Sequence, residues 1–153
     1  MKNLNKRIAV VGATGAVGRV FLELLEENFS GKKDLHLLAS KKSEGKLISC
    51  GDQQFKVKDL STFDFSSVDI AFFSAGADIS GEFAPKALSQ GCTVIDNSSK
   101  FRREEDIPLI IPEVNGEILE KINDPIIISN PNCSTCLLYT SPSPRDLSTS
   151  RMP

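Results

Sequence analysis

The sequence predicts a doubly wound α/β fold, a mostly parallel sheet with helices on both faces. Three observations carry that prediction. Short apolar runs alternate along the chain with segments of helical periodicity, which argues for parallel strands joined by crossover helices. The run Asp69-Ile-Ala-Phe-Phe-Ser74 is continuously apolar between its polar ends, as a strand buried on both faces should be. Gly12, Ser40, Ser74, Asp96, Pro112 and Asn130 each come just after a predicted strand, which gathers the unusual residues at the carboxyl edge of the sheet, where such folds place their chemistry.

The elements follow in order. Residues 7–11 (Arg-Ile-Ala-Val-Val) form a β-rich run that stops at Gly12. Residues 16–28 place Val17, Val20, Phe21, Leu24 and Leu25 at helical spacing. Residues 35–39 are a second strand, and the alternation in 54–58 suggests a third, more exposed one. The strand at 69–74 precedes a helix over 80–90, closed by Gly91. Residues 93–96, 109–111 and 126–129 supply three further strands. The last stretch, 140–153, is rich in Ser, Thr and Pro without periodicity and reads as disordered.

A chain of 153 residues suits one domain with a real core. Hydrophobic residues at 40% and charged residues at 25% are ordinary for a globular protein, and a net charge of -2 leaves no footprint for nucleic acid. No apolar run approaches the ~20 residues of a membrane helix. The start passes from basic residues directly into a β-type run, without the apolar region of a signal peptide, so a cytoplasmic protein is expected. Cys50, Cys92, Cys133 and Cys136 are expected as free thiols.

Gly12-Ala-Thr-Gly15-Ala-Val-Gly18 lies between the first strand and the first helix. Its glycines allow a tight turn and a close backbone approach to a pyrophosphate, and the free N–H groups at the helix start point at the anion. This context makes the loop a dinucleotide-binding fingerprint and the sheet Rossmann-type, with Gly12, Thr14, Gly15, Ala16, Val17 and Gly18 as cofactor-binding residues. An NAD site usually carries an acid about 20 residues further on. Here stand Leu37, Leu38, Ala39 and Ser40, followed by Lys41 and Lys42, with Lys46 nearby; a hydroxyl and cations suit the 2′-phosphate of NADP. Ser74, Ala75 and Gly76 are small enough to let the backbone pass close to the cofactor.

Ser129-Asn-Pro-Asn-Cys133-Ser-Thr135 follows the last strand. A helix beginning near Cys133 would favour its thiolate and make it a nucleophile. Cys133 and Cys136 also form a C-x-x-C pair, but no second pair has ligand spacing and His36 lies inside a strand, so no metal site is expected. A short-chain dehydrogenase needs Tyr-x-x-x-Lys; the only tyrosine, Tyr139, has Ser143 four residues on.

Four segments in this order, the glycine loop at 12–18, Asp-Asn-Ser-Ser-Lys-Phe-Arg at 96–102, Pro-Glu-Val-Asn at 112–115 and Asn-Pro-Asn-Cys-Ser-Thr at 130–135, resemble the aspartate-semialdehyde dehydrogenase family. The resemblance covers about residues 6–135 and implies NADP-dependent reductive dephosphorylation of L-aspartyl 4-phosphate, a step of aspartate-family amino-acid and diaminopimelate biosynthesis. It implies that Cys133 forms a thioester and releases phosphate, that Asn132 positions the cysteine and substrate, and that Arg102 holds the substrate phosphate. It also implies that Asn97 and the segment Ser74-Ala75-Gly76 border the nicotinamide, that Ser40 and Lys42 meet the 2′-phosphate, and that the full-length protein is a homo-oligomer. Lys42 stands where many family members carry arginine, which leaves the strictness of NADP over NAD open.

The match ends after Thr135. The family continues into a second domain that supplies a glutamine, an arginine for the substrate carboxylate and a histidine base. The expected organisation is therefore an NADP-binding domain over 1–135 and a foreign-looking tail over 136–153, with the substrate and dimerisation domain absent. The chain alone is expected to be inactive as a reductase. Two alternatives stay open: a non-catalytic NADP-binding module, and an N-acetyl-glutamyl-phosphate reductase-like enzyme, whose cysteine segment usually reads Pro-Gly-Cys-Tyr rather than Pro-Asn-Cys-Ser.

Overall fold

The structure, a computed structural model, describes residues 2–3, 6–30 and 34–135. The tail read as disordered and the Cys136 half of the C-x-x-C pair lie outside the described residues. The strands are β1 (Lys2–Asn3), β2 (Arg7–Val11), β3 (Phe29–Ser30), β4 (Asp34–Ala39), β5 (Leu47–Cys50), β6 (Gln53–Lys56), β7 (Lys58–Asp59), β8 (Ile70–Phe73), β9 (Thr93–Asp96) and β10 (Ile127–Ser129). The helices are α1 (Ala16–Asn28), α2 (Ala77–Ser89) and α3 (Pro112–Asn115). No helix among the described residues is long and apolar enough to cross a membrane.

Six strands form one parallel sheet in the order β10-β9-β8-β2-β4-β7. The chain begins this sheet at its centre, winds outward through β4 and β7, then returns to the other side of β2 for β8, β9 and β10. That reversal puts a crevice between the carboxyl ends of β2 and β8. The predicted doubly wound, mostly parallel sheet is therefore present.

Alternate residues of β2 feed two cores. Ala9 and Val11 join Leu38, Ala71, Phe73 and the α2 residues Phe83, Ala84 and Ala87 on one face. Ile8 and Val10 join Leu37, Phe72 and the α1 residues Leu22 and Leu25 on the other. Helices thus cover both faces, but on the α1 side the connection from β4 to β7 is an antiparallel hairpin, β5 with β6, whose Cys50, Ile48 and Phe55 join the same core.

Several sequence expectations need correction. The predicted strand over 109–111 reduces to an isolated bridge from Leu109 to Ser129. Pro108 has no N–H to donate, and Pro112 opens α3 immediately afterwards, so the run is too short to propagate a ladder. Pro112 accordingly starts a helix, and Asp96 closes its strand rather than following it. The single strand expected over 54–58 is two strands divided at the fully buried Val57, with β6 in the hairpin and β7 on the main sheet. The hairpin turns at Gly51-Asp52, with Gly51 at φ 61°, a two-residue turn with glycine in its first position. The helix expected from residue 80 begins at Ala77, directly after Gly76 at φ 97°. On α1 the buried positions are Gly18, Leu22 and Leu25, while Val17, Val20 and Leu24 are exposed.

One surface pair ties the start of β2 to the approach to β8. The Asp69 carboxylate accepts from the Arg7 backbone N–H at 2.8 Å and from Arg7 Nη2 at 2.9 Å. The Arg7 side chain, with its backbone N–H, holds Asp69 down from 3.8 to about 2. A folded-state value below the unfolded one contributes stability above the unfolded value and loses it as pH falls toward the folded one. Asp69→Asn is therefore expected to flatten the dependence of Tm on pH between 3.8 and about 2. Melts across that window check it; an unchanged slope refutes it. Solvent exposure of both side chains keeps the expected change small at neutral pH.

Candidate functional site

The crevice at the sheet reversal holds a cavity of about 330 Å³ lined by Gly12, Thr14, Gly15, Ser40, Ser74 and Ala75, together with Val11, Ala39, Leu60 and Ile79. Six of these residues were anticipated as cofactor contacts. Leu60 and Ile79 were missed, because a short 3-10 turn and a helix far apart in sequence bring them in, and no motif marks them.

The glycine loop is shaped by close approach. Gly12 sits at φ 87°, and a Cβ there would lie 3.0 Å from the backbone and hydroxyl of Ser74. A Cβ on Gly18 would overlap the Gly12 carbonyl oxygen and stand 2.9 Å from Ala13 Cα, so only glycine lets α1 dock this tightly on the loop. Ser74 closes the crevice from the other side, its Oγ donating to the Val11 carbonyl at 3.1 Å. Helix α1 begins after Gly15 with no side-chain cap and no acid in its first turn. Its leading N–H groups are free of internal carboxylates, as an anion site requires. Ala16 and Val17 lie on this exposed first turn. A cradle that a Cβ would fill, beside an uncapped helix start, fits the pyrophosphate of a dinucleotide.

Ser40 follows β4 at the cavity and caps a 3-10 turn that carries Lys41 and Lys42, both exposed. Lys46 is also exposed. The expected hydroxyl and cations are therefore at the correct strand end.

The second half of the site is a pair of loops at the ends of β9 and β10. Asp96 is fully buried, and its two oxygens accept from Ser80 Oγ and Ser98 Oγ at 2.6 Å each. Asn97 follows, its N–H donating to the Phe73 carbonyl at 2.9 Å, which places it beside the crevice strand. Arg102 donates through Nε to the Asn130 carbonyl at 2.9 Å and through Nη2 to the Asn97 carbonyl at 3.0 Å. Among the described residues Arg102 forms no ion pair with Glu104 or Glu105; Glu104 pairs with Lys100 at 3.4 Å. Two of the five guanidinium donors are committed to carbonyls, a role not foreseen in the sequence.

Cys133 is exposed and begins a helical turn, with the Thr135 N–H donating to the Asn132 carbonyl at 2.9 Å. Its Sγ donates to Asn132 Oδ1 at 3.1 Å. Cys50 and Cys92 are buried, and burial pushes Cys92 up to about 11. His36 lies within β4, its Nδ1 3.3 Å from Lys58 Nζ, and burial with the Lys58 charge pushes it below its ordinary range. It belongs to the sheet, not to the cysteine loop.

Residues 7–122 match the family of semialdehyde dehydrogenase NAD-binding domains. An aspartate-semialdehyde dehydrogenase of Legionella pneumophila is 49% identical over 137 residues, 90% of this chain and 40% of that protein. One of Aquifex aeolicus is 46% identical over 139 residues, 90% of this chain and 41% of that protein. Among solved structures, aspartate semialdehyde dehydrogenase II of Vibrio cholerae in complex with ASA superposes with a TM-score of 0.81 at 46% identity, covering 88% of this chain and 44% of that one. The aspartate semialdehyde dehydrogenase of Candida albicans with NADP gives 0.71 at 30% identity, covering 85% and 43%. The chain thus spans about 40% of the length of the curated relatives it matches.

Proposed function

The chain belongs to the semialdehyde dehydrogenase NAD-binding domain family, and from that premise we propose that residues 1–135 are the NADP-binding domain of an aspartate-semialdehyde dehydrogenase, with Cys133 as its nucleophile. The observation that carries this reading is the exposed Cys133 thiol on a loop at the same sheet edge as the glycine-cradle cavity. The full reaction is reductive dephosphorylation of L-aspartyl 4-phosphate, completed by a second domain that supplies the substrate carboxylate clamp and the base.

The Cys133 thiolate adds to the acyl carbon, forming a C–S bond; the C–O bond to phosphate breaks and inorganic phosphate leaves. NADPH, when bound, would supply hydride to the acyl carbon held on Cys133, whose thiolate would be released as the C–S bond breaks. Covalent catalysis divides one hard step into two. Asn132 serves both states of the sulfur. Its amide oxygen accepts from the thiol, and after a half-turn its N–H₂ end would donate to the thiolate. The guanidinium N–H groups of Arg102 not spent on Asn97 and Asn130 would take the phosphate oxygens. Gly12, Gly15 and Gly18 with the α1 start would hold the pyrophosphate, Ser40 and Lys42 the 2′-phosphate, and Asn97 with Ser74, Ala75 and Gly76 the nicotinamide side.

The test is direct. Mixed with L-aspartyl 4-phosphate, the 153-residue protein is expected to release one phosphate per chain above spontaneous hydrolysis and then stop. Continued NADPH oxidation is not expected, because no general base stands beside Cys133 among the described residues, which forgoes about 10²–10⁴-fold in rate. NADPH binding without any burst would make this a cofactor-binding module instead. Sustained turnover would overturn the need for a second domain.

A further inference from the structure

The cysteine loop and the loop after β9 are joined at one residue that no family segment singles out for a role. The Asn130 N–H donates to the Asp96 carbonyl at 2.8 Å, and its Nδ2 donates to Asn97 Oδ1 at 2.8 Å. Its carbonyl accepts from Arg102 Nε at 2.9 Å, and the same guanidinium reaches the Asn97 carbonyl at 3.0 Å. The preceding Ser129 adds no side-chain tether, since its buried Oγ has no partner among the described residues. The following Pro131 fixes its own φ and keeps Asn130 extended. Two residues, Pro131 and Asn132, separate this anchor from Cys133, and Asn132 holds the sulfur.

The direction of the amide bond matters as much as its presence. Asn97 Oδ1 is occupied by the Asn130 proton, so the Asn97 side chain turns its N–H₂ end outward as a donor. An amide without that partner can present either end.

We infer that Asn130 is a positioning residue for the proposed reaction: it fixes the cysteine loop against the Asn97 loop and sets which end of the Asn97 amide faces the cofactor side. The inference rests on the function proposed above. It assigns no contact between Asn130 and the reacting atoms.

Asn130→Ala removes the side-chain tether. Asn130→Asp keeps a hydrogen-bonding group there but can only accept from Asn97, which forces the Asn97 amide to turn over. Both are made in a Cys136→Ser background, so that iodoacetamide labelling reports Cys133. Three quantities are read: Tm, NADPH affinity, and the factor by which saturating NADPH slows labelling. The parent is expected to bind NADPH and to be protected. Asn130→Ala is expected to bind about fivefold more weakly, the worth of one neutral hydrogen bond, and to lose most of the protection. Asn130→Asp is expected to keep a Tm near the parent's while losing affinity and protection alike, a split that a merely structural role would not produce. Variants matching the parent in affinity and protection overturn the inference, as does an Asn130→Asp protein whose losses merely follow its Tm. A parent with no NADPH binding and no protection fails the proposed function itself, and the positioning role falls with it.

Discussion

Cys133→Ser is expected to abolish the phosphate burst and leave NADPH binding unchanged. The sulfur sits in the open, its described polar partner an amide oxygen at 3.1 Å. Sulfur is the stronger nucleophile toward an acyl carbon, and cysteine needs less help from a neighbouring base than serine does. A serine hydroxyl would need a base to lose its proton, and Asn132 is not one. The chain's single histidine is held in β4 against Lys58 and the Phe63 ring. Without a base the variant forgoes assistance worth about 10²–10⁴-fold, on top of the weaker nucleophile, so its release of phosphate is expected to match spontaneous hydrolysis. Stopped-flow phosphate detection gives the amplitude, and intact mass gives the aspartyl adduct. Among the described residues the other thiols, Cys50 and Cys92, are buried, with Cys92 held up at about 11, and the measurement is made in the Cys136→Ser background. A full-size burst from Cys133→Ser would move acyl acceptance to another residue and remove the basis for the proposed thioester.

The parts of this site that rest on backbone demands were legible in the sequence, and the parts that rest on backbone hydrogen bonds were not. A strand, a glycine loop and a helix in succession leave few conformations, because Gly12 must take φ 87° beside Ser74 and Gly18 must lie under the Gly12 carbonyl. The β8 run, buried on both faces, is equally forced. By contrast, Arg102 reaches the carbonyls of Asn130 and Asn97, groups that every residue type carries and that leave no signature in the sequence. The same holds for the Asn130 tether, formed across 33 positions.

Helix α1 shows a subtler limit. Its apolar residues fall on two adjacent stripes, and periodicity alone does not say which one faces the sheet. Gly18 decides. Where a Cβ is missing the helix approaches, so Leu22 and Leu25 on that side become core and Phe21 stacks on Phe72 at 4.0 Å. Val17, Val20 and Leu24 are left outside. The glycine proposed for the cofactor cradle therefore also selects the packing face.

Of the described glycines, Gly18 leaves the least room for a methyl group. The added Cβ would overlap the Gly12 carbonyl oxygen and press on Ala13 Cα at 2.9 Å, and both are backbone, so no side-chain rotation relieves them. Helix α1 has to lift from the loop. Overpacking of this kind costs about 1–3 kcal/mol, which for a domain of this size lowers Tm by roughly 5 °C. The larger consequence is functional. The helix start and the Gly12 turn form one cradle, and lifting one from the other spreads the N–H groups that would converge on a pyrophosphate. Several weakened charge-assisted bonds, each about twice as strong as a neutral one, predict NADPH affinity reduced by about a hundredfold. Gly116→Ala is the matched control, because nothing lies within 4 Å of a Cβ there and its φ of -60° suits any residue. That change is expected to leave affinity untouched and stability level or slightly raised. Calorimetric titration and thermal melts of the two variants side by side separate the cases. If Gly18→Ala binds NADPH as Gly116→Ala does, the cradle is not the pyrophosphate site, and the cofactor must be sought away from the β2–β8 crevice.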